Sequence, residues 1–142
     1  MRRIIVILTL VLGLVLALAL GMVWRAPVFL PQLTDAAPTL PEGEQRIFGY
    51  ATLARPAVRS VVAGRWLPGE EAELHGWERV GRHLRPDPDG AVSGVVFTVP
   101  PEAFRRLDRY ERAGVRYLRE RKTLADGSEA WVYRLIAWEG GR

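Results

Sequence analysis

One carboxylate in this 142-residue chain stands where a carboxylate is costly. The segment Pro101-Glu102-Ala103-Phe104-Arg105-Arg106-Leu107-Asp108-Arg109-Tyr110-Glu111 predicts a helix, with proline in its first turn and Phe104 and Leu107 on its core face. At about 100° per residue, Glu111 falls between those two on the helical wheel. A glutamate aimed at the core from the last turn loses hydration and meets the negative end of the helix dipole. Both effects raise its pKa from roughly 4.3. A carboxylate that exchanges protons near neutrality can act as a general acid or base. The other reading is a helix that frays early, with Glu111 paired to Arg112 or Arg116 in water. The helix alone does not choose between them.

Other reactive groups are scarce. The chain has no cysteine, which removes disulfides, thiolate nucleophiles, Cys-type zinc sites and a lipidated Cys anchor. His75 and His83 are the only histidines, and neither lies in a metal-ligand spacing with the other, so no metal site is expected. Lys122 is the only lysine among 20 basic residues. These cations are spread along the chain and mixed with 16 acids, which argues against a nucleic-acid partner. A loosely basic surface facing anionic lipid is the modest inference.

The elements that must position Glu111 follow a long apolar leader. Residues 4–24 carry no charge, and a helix of that length crosses a bilayer core of roughly 30 Å. Residues 1–24 therefore read as a single membrane anchor. Arg2 and Arg3 place its N-terminus in the cytoplasm and the rest of the chain on the periplasmic or outer side. A signal peptide is the alternative, with Ala17-Leu18-Ala19 as a cleavage site. Residues 25–45, with Pro27, Pro31, Pro38 and Pro41, read as an extended linker.

The folded domain is expected over residues 46–139. Arg46 to Tyr50 reads as a strand, and Pro56 opens a helix that Gly64 caps. Ala72–Val80 and Ala91–Val99 are strand-like, with Arg85 to Gly90 as a turn-rich loop between them. After the helix of Glu111, Val115–Leu124 and Glu129–Trp138 face each other across Asp126-Gly127. This order predicts a compact α+β domain, a mixed sheet with two helices.

The same residues resemble the γ-glutamylcyclotransferase family in its AIG2-like branch, across Ile47 to Leu135. Tyr50-Ala51-Thr52-Leu53 is similar to a family strand that ends in Tyr-Gly-Thr/Ser-Leu. Leu74-His75-Gly76-Trp77, Pro86, Gly90 and Val92-Ser93-Gly94 follow in the family's order. Leu107-Asp108-Arg109-Tyr110-Glu111 and Tyr117-Leu118-Arg119 parallel its Leu-Asp-x-x-Glu and Tyr-x-Arg. The resemblance implies a small mixed sheet or partial barrel, and a cyclisation that needs neither cofactor nor metal. A γ-glutamyl α-amine attacks its own γ-carbonyl, 5-oxoproline forms and the attached amine leaves. Glu111 would be the general acid/base, and the backbone of Tyr50, Ala51, Thr52 and Leu53 would hold the glutamyl carboxylate. Tyr117 would line the pocket, and so would Trp77 unless both are ordinary core aromatics. Two positions depart from the pattern. Ala51 replaces a glycine, putting a methyl group on a backbone that must approach the ligand. Arg112 also replaces a glycine, as a cation able to pair with Glu111 and lower its pKa. These departures and the exported setting motivate the alternative of a non-catalytic binding or structural module at the envelope.

Overall fold

The computed structural model describes residues 1–25 and 29–136. Helix α1 (Arg2–Arg25) is long and apolar enough to span a membrane, a test that signal sequences also pass. Residues 29–44 form turns and irregular chain, but they are not a free tether. Leu30 is buried in the core, Arg109 Nε donates to the Pro31 carbonyl at 2.7 Å, and Arg119 Nη2 donates to the Thr39 carbonyl at 2.6 Å. Gly114 has φ 83°, and a Cβ there would come within 1.9 Å of the Ala36 carbonyl oxygen. The proline-rich stretch is thus a strap laid against the domain.

The domain has strands β1 (Gln45–Gly49), β2 (Glu70–Val80), β3 (His83–Val99), β4 (Tyr117–Thr123) and β5 (Glu129–Leu135), with helices α2 (Pro56–Ala63) and α3 (Pro101–Glu111). They form one curled, five-stranded mixed half-barrel in the order β2-β3-β1-β5-β4. Central β1 runs antiparallel to β3 and parallel to β5. Successive strand residues point to opposite faces, so β1 feeds two cores. Ile47 packs with Val99, Phe104 and Leu107 under the helices, while Phe48 packs with Leu74, Leu84, Val92 and Val132 on the other face. That double burial explains why β1 is a short apolar run and not an alternating pattern.

The expected loop from Arg85 to Gly90 is instead part of β3, where Glu78 faces Arg85 and Trp77 faces Pro86. Pro86 and Pro88 share one parity, so both missing N–H groups fall on the same side of the strand. β1 pairs with β3 only from Val95 onward and leaves that side open, and proline is tolerated on such an edge. The true hairpin turn is Gly81-Arg82, between partners Val80 and His83, with φ 63° at Gly81. The second hairpin turns at Asp126-Gly127, with φ 82° at the glycine. β5 ends at Leu135, before Trp138, and residues 137–139 of the expected domain lie outside the described residues.

Helix α3 does not fray. Arg112 N–H bonds back to Arg109, and Ala113 N–H bonds to Asp108 at 2.9 Å, the paired bonds of a Schellman ending. This places Arg112 at φ 52°, the left-handed position usually held by glycine, at a cost of about 1–2 kcal/mol. The cap fixes Glu111 as the last helical residue.

Candidate active site

Glu111 emerges half-buried from the C-terminus of α3 into a cleft of about 170 Å³. Tyr50, Ala51, Thr52, Leu53 and Tyr117 line the same cleft, so Glu111 and these five residues singled out in the sequence come together. Tyr133, Arg82, Tyr110 and Arg116 complete much of its wall.

The loop after β1 is shaped by close approach. A Cβ on Gly49 would lie 2.9 Å from the Leu53 carbonyl carbon, and one on Gly94 would lie 2.5 Å from the Gly49 oxygen. Glycine at both positions lets the chain double back at once into the single turn Thr52–Ala54. That turn is closed by Ala54 N–H to Ala51 at 3.2 Å and Arg55 N–H to Thr52 at 3.1 Å. The amides that begin a helical turn have no acceptor within it, so they are available to an anion. Ala51 has φ −125° and needs no left-handed backbone. Its methyl group is half-buried beside the second core.

Burial pushes Glu111 up to about 7, with the Arg116 guanidinium pulling the other way. Of the two cations expected to compete for it, Arg116 is the one that acts. Arg112 is exposed and makes no ion pair with Glu111 among the described residues. Tyr50 and Tyr117 are both pushed above the ordinary phenol value, first by burial and then by negative neighbours that include Glu111. Tyr50 therefore stays protonated, and its hydroxyl donates to the Tyr133 carbonyl at 2.7 Å.

Sequence reasoning assigned no role to Asp108, Tyr133 or Arg82. Asp108 is fully buried, accepts from Tyr133 Oη at 2.7 Å and accepts from Arg119 through its other oxygen. Arg119 lies over the Phe104 and Trp131 rings at 4.6 and 5.0 Å. The available signal for this pair was the motif itself, since Asp108 and Arg119 are the two charged positions besides Glu111 that Leu-Asp-x-x-Glu and Tyr-x-Arg specify. Tyr133 carried none beyond its place in an apolar strand. Arg82 reaches the cleft because the β2–β3 turn is two residues long, which the expected longer loop obscured. Trp77 does not line the cleft; it packs on the second core beneath Lys122, whose Nζ is 4.7 Å from the ring. Among the described residues, no group of three or more His, Asp or Glu could hold a metal ion.

The curled mixed half-barrel carries a helix-borne glutamate facing a tight backbone loop. The chain belongs to the family described as gamma-glutamyl cyclotransferase, AIG2-like, whose profile matches residues 47–140. Two Arabidopsis thaliana proteins solved in solution share its fold, at 21% identity and TM-score 0.60 and at 22% identity and TM-score 0.59. The matches cover 75% of this chain in both cases, and 70% and 76% of the plant chains. The crystal structure of an uncharacterized Pyrococcus horikoshii protein matches at 20% identity and TM-score 0.53, covering 69% of this chain and 83% of that one. At these identities the likeness is one of fold. No curated protein matches the chain.

Proposed function

We propose that this protein is a membrane-anchored γ-glutamylcyclotransferase-like enzyme that releases 5-oxoproline from γ-glutamyl amines or peptides. The amides of the Ala51–Leu53 turn hold the glutamyl α-carboxylate, and Tyr117 walls the cleft. Glu111 takes a proton from the α-ammonium group, and the freed amine attacks the γ-carbonyl carbon. A new C–N bond closes the five-membered ring as the bond to the leaving nitrogen breaks. The two protons lost by the attacking nitrogen are balanced by two gained at the leaving one, passed through Glu111. Because attack is intramolecular, positioning supplies much of the rate.

The observation that supports this reading is the half-buried Glu111, held at about 7, in the same cleft as the turn from Tyr50 to Leu53. Purified full-length protein should release 5-oxoproline from γ-glutamyl dipeptides or amines. Its kcat/KM should fall on the acid side with an apparent pKa near 7, as Glu111 becomes protonated. Failure of every such substrate would sink the proposal.

In the same reading α1 stays as an anchor, with Arg2 and Arg3 in the cytoplasm and the domain on the far side of the membrane. A reporter fused after Arg142 should be active only outside the cytoplasm. Cytoplasmic activity would reverse the orientation.

A further inference from the structure

The second feature of α3 lies away from the cleft. A groove between α2 and α3 is lined by Arg65, Arg105, Arg106 and Arg109, with Glu102 as the acid among them. The cations differ in what they do. Arg106 is buried and donates through Nε to the Val62 carbonyl at 2.6 Å, and Arg109 holds the strap at Leu30 and Pro31. Arg65 and Arg105 are exposed, and Arg65 meets Glu102 only at 3.5 Å, with both side chains more than half exposed. Beside Arg65 stands Trp66, 68% exposed.

This groove adjoins the end of the apolar helix. Arg106 Nη2 donates to the Trp24 carbonyl at 3.0 Å, and its guanidinium lies 5.9 Å from the Phe29 ring. Leu30, next along, is buried in the core. From Arg25 to Phe29 the chain reaches at most about 15 Å. A helix seated in a bilayer would thus hold the groove at the headgroup layer, where arginine meets lipid phosphate and tryptophan is favoured.

We infer that the α2–α3 groove binds the headgroup phosphates of anionic phospholipids, through Arg65 and Arg105, with Trp66 entering the interface beside them. This rests on α1 being a retained membrane anchor. Glu111 lies six residues beyond Arg105, about 9 Å further along α3, and does not line the groove.

The absence of cysteine makes the test direct. The full chain would carry Trp66→Cys, or Ala125→Cys at the exposed β4–β5 hairpin outside the groove lining, labelled with a solvatochromic dye. Each would be reconstituted in phosphatidylcholine vesicles, with or without roughly one-third phosphatidylglycerol. The dye at position 66 should shift to the blue only with the anionic lipid, and the dye at position 125 should not shift. Adding Arg65→Gln and Arg105→Gln should lower the docked-to-undocked ratio roughly thirty-fold, which is about 1 kcal/mol for each arginine. Equal signals in both lipids, equal shifts at both positions, or a shift that survives the double substitution would each overturn the inference while leaving the anchor intact. A chain that alkaline carbonate strips from the vesicles would overturn the anchor and the inference together.

Discussion

Replacing Glu111 by glutamine is expected to lower 5-oxoproline release by about 10²–10⁴-fold, the usual contribution of a positioned acid/base group. Glutamine keeps the shape of the side chain and the cap of α3 but cannot carry a proton between two nitrogens. The loss should fall on kcat more than on KM, since the Ala51–Leu53 amides proposed to hold the substrate are untouched. Unchanged turnover in a folded variant would remove Glu111 from the mechanism.

The same variant should be more stable than the natural protein above neutral pH. The folded protein holds the Glu111 proton up to about 7, whereas an ordinary glutamate releases it near 4.5. Between those values the unfolded chain binds fewer protons than the folded one, so stability falls as pH rises through that window. The contribution is fully present below about 4.5 and gone above about 7, a difference of about 3 kcal/mol. Glutamine has no such slope, so urea midpoints of the two proteins should diverge from pH 5 to about 8 in favour of the variant. Parallel midpoints across that range would mean that Glu111 is not desolvated in the fold. A group that costs stability in its ionised form and is still held in the cleft is what an acid/base site requires.

The sequence showed Glu111 because a charge on an apolar helix face breaks a 3.6-residue pattern, and such a break is local. The helix ending that settles its position is also local, but it was hidden by Arg112, which occupies a left-handed site that sequence habit assigns to glycine. β3 was misread for a different reason. Pro86, Pro88 and Gly90 speak for a loop, and only the topology shows that one side of that strand is open and can take proline. The strap was legible as irregular chain, but not as docked chain. Its contacts run from Arg109 and Arg119 to backbone carbonyls some 80 residues earlier in the chain, and carbonyls carry no sequence signature. The Asp108–Arg119 pair falls between these cases, visible as a motif and silent about its partners.

Replacing Asp108 by asparagine is expected to destabilise the domain by about 3–5 kcal/mol, because it leaves the Arg119 guanidinium buried without a counter-charge. Their side chains are 1% and 3% exposed, so water cannot take over. Burial pushes the Asp108 carboxyl up, while the bond from Tyr133 and the charge of Arg119 pull it down. A buried pair of this kind is poor evidence for stability by itself, since apolar replacement of both partners is often neutral or better. The double variant Asp108→Leu/Arg119→Met should therefore regain part of the lost stability in urea melts, short of full recovery because the Tyr133 hydroxyl loses its acceptor. Its turnover should not return. Asp108 holds the Tyr133 hydroxyl, and the Tyr133 carbonyl holds the Tyr50 hydroxyl, so one chain of bonds joins α3 to β5 and to the cleft loop. Asp108 precedes Glu111 by one turn of the same helix, which makes the pair a positioning device for the carboxylate against the loop. A drop in kcat of at least about tenfold, in a double variant still folded under the assay conditions, is the expected result. Full activity in that variant would leave Asp108 and Arg119 a structural role alone.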